Sequence, residues 1–271
     1  MIAVNVSPDD IVLVAGATGG VGQLTVAKLL EKGLKVRALT RNPGKVATMF
    51  DNRVEVAEGD ILNPDSLQNA VRNVKYILCC TGTTAFPSDK WQFNSNWNWF
   101  EALFDSQKLK QKAANTPEKV DFIGVTNLVN AAPRDLKRFV FVSSCGIHRK
   151  NSFPFSILNA FGVLDAKEKG EQSIINSGLP YTIIRPVRLI DGPYTSYDLN
   201  TLLKATTQGK LGVVIDTGDK VVGETSRIDV AAACVECLTY TETENKVFEL
   251  VNQGRRPQTI DWQTLFTKLT N

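Results

Sequence analysis

Short apolar runs alternate along the chain with segments in which apolar residues recur every three or four positions. The runs have the length of buried strands, and the periodic segments are typical of amphipathic helices. This alternation predicts an α/β fold built on a doubly wound parallel sheet, with a small substrate-side extension towards the C-terminus. We expect strands at 11–15, 35–39, 54–57, 76–80, 139–143 and 181–184, with weaker candidates at 212–215 and 247–250.

Residues typical of helix ends fit the same pattern. Gly33 follows the last apolar position of the first periodic segment and predicts the end of that helix. Pro64 predicts the start of another helix. Ser226 and Asp229 have the spacing of a capping box ahead of the apolar segment 230–238.

The composition changes this picture little. The chain has 271 residues, 43% of them hydrophobic and 22% charged, which is typical of a globular protein and excludes low-complexity and disordered classes. No linker or internal repeat interrupts it, so we expect one domain over residues 1–271. The five cysteines are an odd number, which favours reduced thiols, and with a single histidine we expect no metal site.

Charge and hydropathy exclude two further classes. The net charge of +3 is spread along the chain, which argues against a nucleic-acid partner. No apolar run approaches the ~20 residues of a membrane helix, and the first residues do not read as a signal peptide. We therefore expect a soluble protein of the cytoplasm, or of the chloroplast stroma if a transit peptide has been removed.

Two regions depart from the strand–helix alternation. An aromatic-rich insertion at about 86–117 contains three tryptophans, Trp91, Trp97 and Trp99. Three interpretations remain open: a cover for the sheet edge, a lid over a substrate, or a docking surface for a protein or membrane along 91–112. The second region, at about 191–225, follows the sixth strand, where we expect a wall of the substrate site.

A glycine-rich turn carries the strongest chemical signal. Gly16, Gly19 and Gly22 follow the first strand and open a helix, a spacing that permits a tight turn and a close approach of the backbone to a pyrophosphate. The helix N-terminus then offers free N–H groups to the phosphates. This predicts a Rossmann-type dinucleotide site, with contacts from Gly16, Thr18, Gly19, Gly20, Val21 and Gly22.

The end of the second strand indicates which dinucleotide is bound. NAD sites carry an acidic residue there for the ribose 2′-hydroxyl, whereas this strand ends in Thr40-Arg41-Asn42. The Arg41 guanidinium suits a 2′-phosphate, and Lys45 is placed to assist. We therefore predict NADP(H) as the cofactor.

These motifs resemble a known family. The glycine turn, the Arg41 segment, Gly59-Asp60, the serines after the fifth strand and the segment 177–186 are similar to the atypical short-chain dehydrogenases/reductases. The similarity runs from about 11 to 250 and lies near the NmrA-like and biliverdin-IXβ-reductase-like branches. The motifs are most similar to those of cyanobacterial and chloroplast members.

The resemblance implies roles for residues at the ends of later strands. Asp60 and Ile61 would border the adenine. Ser144 matches the catalytic serine, and Lys167 matches the lysine that holds the nicotinamide ribose. Further cofactor contacts implied by the resemblance are Cys80, Thr81, Gly82, Ser143, Ser144, Pro186, Val187 and Arg188.

One departure from the family concerns the proton donor. The catalytic tyrosine normally stands four residues before the lysine, and here that position is Val163. A donor would have to come from His148, Tyr194 or Tyr197. Each has an alternative interpretation: His148 faces solvent, and the two tyrosines merely cover the pocket.

Two functions remain open. The first is an NADPH-dependent oxidoreductase whose small-molecule acceptor is conjugated, such as a quinone, a flavin or a tetrapyrrole-like compound, because such an acceptor needs no protein acid. The alternative is a non-catalytic NADP(H)-dependent scaffold, redox sensor or photosynthetic assembly factor.

Overall fold

Ten strands are found in the computed structural model, which describes residues 6–93, 106–190 and 210–270. Eight of the strands form one sheet and two form a short separate pair. The strands are β1 (Ile11–Ala15), β2 (Lys35–Thr40), β3 (Glu55–Glu58), β4 (Val74–Cys79), β5 (Arg138–Val142), β6 (Tyr181–Pro186), β7 (Arg188–Leu189), β8 (Leu211–Asp216), β9 (Glu224–Thr225) and β10 (Lys246–Arg255).

Helices connect these strands on both faces of the sheet. They are α1 (Gly20–Glu31), α2 (Pro43–Met49), α3 (Leu67–Ala70), α4 (Ser106–Lys112), α5 (Val125–Ala131), α6 (Phe155–Leu158), α7 (Val163–Ile175), α8 (Arg227–Glu236) and α9 (Trp262–Thr267). A π-helical segment, Glu118–Gly124, leads directly into α5. None of the helices in the described ranges has the length and apolar character needed to cross a membrane.

The large sheet has the order β3-β2-β1-β4-β5-β6-β10-β8. Every neighbouring pair is parallel except β10 and β8, so the edge strand β8 runs against the rest. The chain winds outward from β1 to β3 and then crosses to β4 on the other side. The carboxyl ends of β1 and β4 therefore flank a topological switch point, where doubly wound folds bind their ligands.

The sheet is buried on both faces, which explains why its strands are continuous apolar runs. Within β1, Val12 and Val14 contribute to the core that contains α1 and α8, and Leu13 and Ala15 to the core that contains α5. All four are fully buried. This confirms the predicted doubly wound α/β fold.

The predicted strands are confirmed: 11–15 has the bounds of β1, and the others are shifted by one to several residues at one or both ends. Two helix signals have different outcomes. Gly33 ends α1 as expected, with a φ of +72° and with the Leu34 N–H donating to the Leu29 carbonyl. The capping box is only half right. Ser226 caps α8, but its own N–H donates to Asn252 Oδ1 rather than to Asp229.

Part of the aromatic insertion belongs to the protein interior. Trp91 is fully buried, donates through Nε1 to the Thr84 carbonyl at 3.1 Å, and packs with Phe93 and Phe161. Trp91 is therefore not available to a docking partner in this conformation. Trp97 and Trp99, like most of the 191–225 region, lie outside the described residues.

Candidate cofactor site

The turn after β1 can only be formed by glycine at two positions. Gly16 has a φ of +79°, and a Cβ there would lie 2.9 Å from the backbone of Cys80 and Thr81. A Cβ on Gly22 would lie 2.1 Å from the Gly16 carbonyl oxygen. Gly22 thus lets the start of α1 close onto the turn itself.

The start of α1 faces the cleft at the switch point. Gly19 is exposed at the N-cap, and the first intrahelical hydrogen bond runs from the Gln23 N–H to the Gly19 carbonyl. The Gln23 side chain donates to the Thr18 carbonyl at 2.7 Å and holds the turn in place. The N–H groups of the first helical turn, which have no acceptor inside the helix, are therefore free for an anion.

Arg41 lies at the end of β2, as the sequence predicted. Its Nη1 lies 3.6 Å from Asp60 Oδ2 and 3.4 Å from both Gln92 Oε1 and Asn115 Oδ1. The Arg41 side chain is half exposed. Lys45 follows in the first turn of α2 with an exposed side chain.

Gln92 and Asn115, which sequence analysis did not single out, belong to the two ends of the aromatic insertion. The Asn115 side chain also donates to the Lys90 carbonyl at 3.2 Å, which ties these ends together. The base of the insertion thus forms one side of the Arg41 group. No local signal could have shown this, because the contacts join residues 51 and 74 positions apart.

Ile61 follows β3 and Cys80 follows β4, and both lie beside the same cleft. Ile61 is buried against Gly124, where a Cβ would lie 2.5 Å from Ile61 Cδ1. Cys80 offers only its backbone, because its thiol lies 3.8 Å from Thr25 Oγ1 and is hydrogen-bonded to the buried Cys234. That bond to Cys234 lowers the pKa of Cys80.

Lys167 lies under the loop after β4, and its charge is compensated inside the protein. Its Nζ donates to the Val142 carbonyl at 2.9 Å and lies 2.8 Å from Asp121 Oδ1. Gly82 lies above this pair, since a Cβ there would be 3.4 Å from Asp121 Oδ1 and 3.5 Å from Lys167 Nζ. Lys167 therefore sits between the ends of β4 and β5, where the nicotinamide end of a dinucleotide would be.

Asp121 was missed by the sequence analysis. It is fully buried in the π-helical segment, and burial raises the pKa of its carboxyl group while the Lys167 ammonium opposes that rise. A signal did exist, because an acidic residue within the otherwise apolar VDFIGV segment needs a buried cation as its partner.

The two serines after β5 have different surroundings. Ser143 is buried, and its N–H donates to the Ile184 carbonyl. Ser144 is half-buried and its hydroxyl donates to the Cys145 carbonyl at 3.0 Å. Ser144 is thus the more accessible of the two hydroxyls.

The position of the missing tyrosine is closed and apolar. Val163 is buried in a cluster with Ile147 and Leu164. Phe161 packs edge-on against Trp91 and Phe86, with ring centroids 5.7 and 6.0 Å apart. Among the residues that the structure describes, those packed in these contacts with Val163 and Phe161 are apolar or aromatic.

His148 is exposed and hydrogen-bonded at the same time. Its Nε2 lies 3.0 Å from Arg185 Nη1, and Arg185 forms a buried pair with Glu171. Because an arginine can only donate, the Arg185 guanidinium offers a hydrogen-bond donor to the His148 ring. Tyr194 and Tyr197 lie outside the described residues.

The loop that follows Ser144 is held by a residue that the sequence did not reveal. Asp219 is buried and accepts hydrogen bonds from the Gly146 and His148 N–H groups, at 2.6 and 2.8 Å, and from the Cys145 thiol. Burial raises the pKa of Asp219, but these hydrogen bonds outweigh it and hold the pKa below its usual value. Asp219 thereby joins the loop after β8 to the loop after β5.

The residues after β6 lie beside this loop. The Pro186 carbonyl accepts from the Cys145 N–H, and Val187 is buried next to Cys145. Arg188 is largely exposed and forms an ion pair with Glu224 across the short β7–β9 sheet. The position of Arg188 gives no support for its predicted contact with the nicotinamide.

A second unforeseen residue lies at the glycine turn itself. The Arg227 side chain, at the start of α8, packs on Gly20, where a Cβ would lie 2.9 Å from Arg227 Cδ and Nε. A basic residue in the first turn of a helix opposes the helix dipole, and this was a signal in the sequence.

The glycine turn, the exposed N-terminus of α1 and the Arg41 group together fit a dinucleotide. Comparison with protein families agrees: residues 16–241 match the family described as NAD(P)H-binding. The chain belongs to this family. Within it, the chain is an atypical short-chain dehydrogenase/reductase, as the motifs indicated.

Several named proteins are similar to this chain in sequence. Protein TIC 62, chloroplastic, of Arabidopsis thaliana is 33% identical over 67% of this chain, which spans only 28% of that protein. Sanguinarine reductase of Eschscholzia californica is 30% identical over 96% of both chains. The photosystem II assembly factor Ycf39 of Trieres chinensis is 25% identical over 89% of this chain and 63% of its own.

Solved structures share the fold. A putative NAD-dependent epimerase/dehydratase from Bacillus halodurans superposes with a TM-score of 0.66 at 22% identity, over 92% of this chain and 96% of that one. At this level of identity the likeness concerns the architecture alone.

Proposed function

We propose that this protein is an NADP(H)-dependent oxidoreductase that reduces a small conjugated acceptor such as a quinone, a flavin or a tetrapyrrole-like compound. The observation that carries the proposal is the arrangement of the glycine turn, Arg41 and Lys167 along one edge of the sheet. Arg41, the glycine turn and Lys167 would contact the 2′-phosphate, the pyrophosphate and the nicotinamide ribose, which is the order of these groups along NADPH.

The geometry of the glycine turn supports its assignment to the cofactor. A Cβ on Gly16 or Gly22 would collide with backbone atoms, so this turn keeps the N-terminus of α1 open towards the cleft. When bound, NADPH supplies the hydride. The N–H groups of the α1 N-terminus would bind its pyrophosphate, and Arg41 with Lys45 would bind its 2′-phosphate.

At the other end of the cleft, Lys167 and Ser144 would position the nicotinamide ribose and the acceptor. Val163 stands where the family carries its catalytic tyrosine, and it packs with apolar residues. A conjugated acceptor fits such a site, because it spreads the negative charge gained with the hydride and then takes its proton from water. Sanguinarine reductase, which matches along nearly the whole chain, supports a reductase.

The experiment is a survey of NADPH oxidation, followed by the absorbance of the reduced nicotinamide, with quinone, flavin and tetrapyrrole acceptors. We expect turnover with at least one class and a lower kcat/KM with NADH than with NADPH. The rate of NADPH oxidation measured without any acceptor serves as the blank.

A second candidate is a non-catalytic NADP(H)-binding scaffold or assembly factor. The burial of Val163 in an apolar cluster, where a catalytic tyrosine would stand, favours it, and Ycf39 is a relative named for assembly. The same survey separates the two. Tight NADPH binding without turnover of any acceptor would favour the scaffold and contradict the oxidoreductase.

A further inference from the structure

Arg227 lies directly against the glycine turn. It is the first residue of α8, and only 5% of its surface is exposed. An ideal Cβ on Gly20 would lie 2.9 Å from its Cδ and Nε and 4.0 Å from its Cζ. The guanidinium therefore lies beside the first residue of α1, where the helix N-terminus carries its positive partial charge.

A second cation is near Arg227. Partial burial lowers the pKa of Lys90, and the positive charge of Arg227 lowers it further. Lys90 belongs to the same base of the insertion that contacts Arg41, because its carbonyl accepts from the Asn115 side chain. The Arg227 guanidinium thus adds a positive charge at the N-terminus of α1, an arrangement that an anion stabilises.

The start of α8 is held firmly, so Arg227 has a defined position. The Ser226 N–H donates to Asn252 Oδ1 at 2.6 Å, and Asn252 Nδ2 donates to Asp229 Oδ2 at 2.7 Å. Arg256 donates to both oxygens of Asp229, at 2.8 and 2.9 Å. The acidic residue of the first turn of α8 is therefore engaged by Arg256 on the side of β10.

We propose that Arg227 binds the pyrophosphate of the dinucleotide across from the N–H groups of the α1 N-terminus. This rests on the proposed function, since it assumes that the dinucleotide lies in the glycine turn. A guanidinium donates two parallel hydrogen bonds to phosphate oxygens, which the N–H groups of the turn approach from the other side. Gly20 is then needed because any larger residue would push the guanidinium out of the site.

The proposal predicts a loss that does not depend on the 2′-phosphate. NADH and NADPH share the pyrophosphate, so Arg227→Met should weaken both by about ten- to hundred-fold and leave the ratio of their dissociation constants unchanged. Adenosine 2′-monophosphate has no pyrophosphate, so its affinity should stay within about twofold.

The test is isothermal titration calorimetry of the full chain with these three ligands. Arg72→Met is the matched control, because Arg72 is exposed near the amino end of β4, far along the sheet from the cleft, and its guanidinium donates to Asn69 Oδ1. Methionine retains much of the stem that packs on Gly20, and thermal melting checks the fold of each variant. If Arg227→Met does not fold, Arg227→Lys is measured instead. Because lysine keeps the positive charge, it should lose less affinity for NADH and NADPH than the loss expected for Arg227→Met.

The outcomes separate this inference from the proposed function. Unchanged NADH and NADPH affinities in Arg227→Met, with normal binding by the wild type, would overturn the role of Arg227 and leave the oxidoreductase standing. A loss confined to NADPH would also overturn it, because the guanidinium would then serve the 2′-phosphate. Absence of any binding by the wild type would overturn the proposed function itself.

Discussion

Arg41 illustrates how an individual side chain can be available to a ligand although it has partners in the protein. Its ion pair with Asp60 is long, at 3.6 Å, and half exposed, and such surface pairs contribute little to stability. Its two amide-oxygen partners are neutral. A doubly charged 2′-phosphate would therefore compete successfully for the guanidinium.

Arg41→Ala should weaken NADPH binding by about 1.5–3 kcal/mol and NADH binding by much less, because only NADPH carries the 2′-phosphate. Titration calorimetry with both nucleotides measures the difference. Arg53→Ala is the control. Arg53 is an exposed arginine just before the amino end of β3, whereas Arg41 follows the carboxyl end of the neighbouring strand β2. Equal losses for NADH and NADPH would refute the assignment of Arg41.

Lys167 and Asp121 are bound to each other in the interior. Lys167→Met should destabilise the fold by about 3–5 kcal/mol, because it leaves a fully buried carboxylate without its cation. Asp121→Asn combined with Lys167→Met should recover part of that loss. Chemical denaturation of the single and double variants measures this coupling, and strictly additive losses would show that the two groups do not act as a pair.

Among the structural elements, the turn between β1 and α1 depends most on small residues. Gly22 lies where the backbone of α1 meets the Gly16 carbonyl, so the shape of the phosphate site and the packing of the helix are linked. The loop after β5 is similarly linked to the loop after β8 through Asp219. Elements distant in the chain therefore determine where Ser144 lies.

Gly22→Ala should abolish measurable dinucleotide binding and lower the melting temperature, because its Cβ would lie 2.1 Å from a carbonyl oxygen and the turn would have to open. Gly44→Ala is a matched control in α2, where the nearest atom to an added Cβ is 3.8 Å away. Differential scanning fluorimetry with and without NADPH compares the two. Normal binding by Gly22→Ala would contradict the assigned geometry of the turn.

For the molecule as a whole, the cleft couples ligand binding to stability. Its walls come from both halves of the doubly wound sheet, from the residues after β1 to β3 and from those after β4 to β6. A ligand that bridges these halves binds the folded chain alone and must stabilise it.

NADPH at about one hundred times its dissociation constant should add roughly 2.7 kcal/mol of stability, which for a chain of this size raises the melting temperature by about 5–10 °C. A thermal melting series over NADPH concentration tests this, with NADH as the weaker comparison. A melting temperature that does not depend on NADPH would contradict cofactor binding.

Local signals in the chain were enough to predict the doubly wound sheet, the glycine turn and Arg41, because strand burial on both faces and the phosphate turn impose patterns on neighbouring residues. They were not enough for Asp121, Asp219 or Arg227. Each of these residues contacts a partner 46 to 207 positions away in the chain. The pairs are Asp121 with Lys167, Asp219 with Gly146 and Arg227 with Gly20. Such pairings arise only when the sheet order brings strand ends and helix termini to one edge, so they were decided by the tertiary structure.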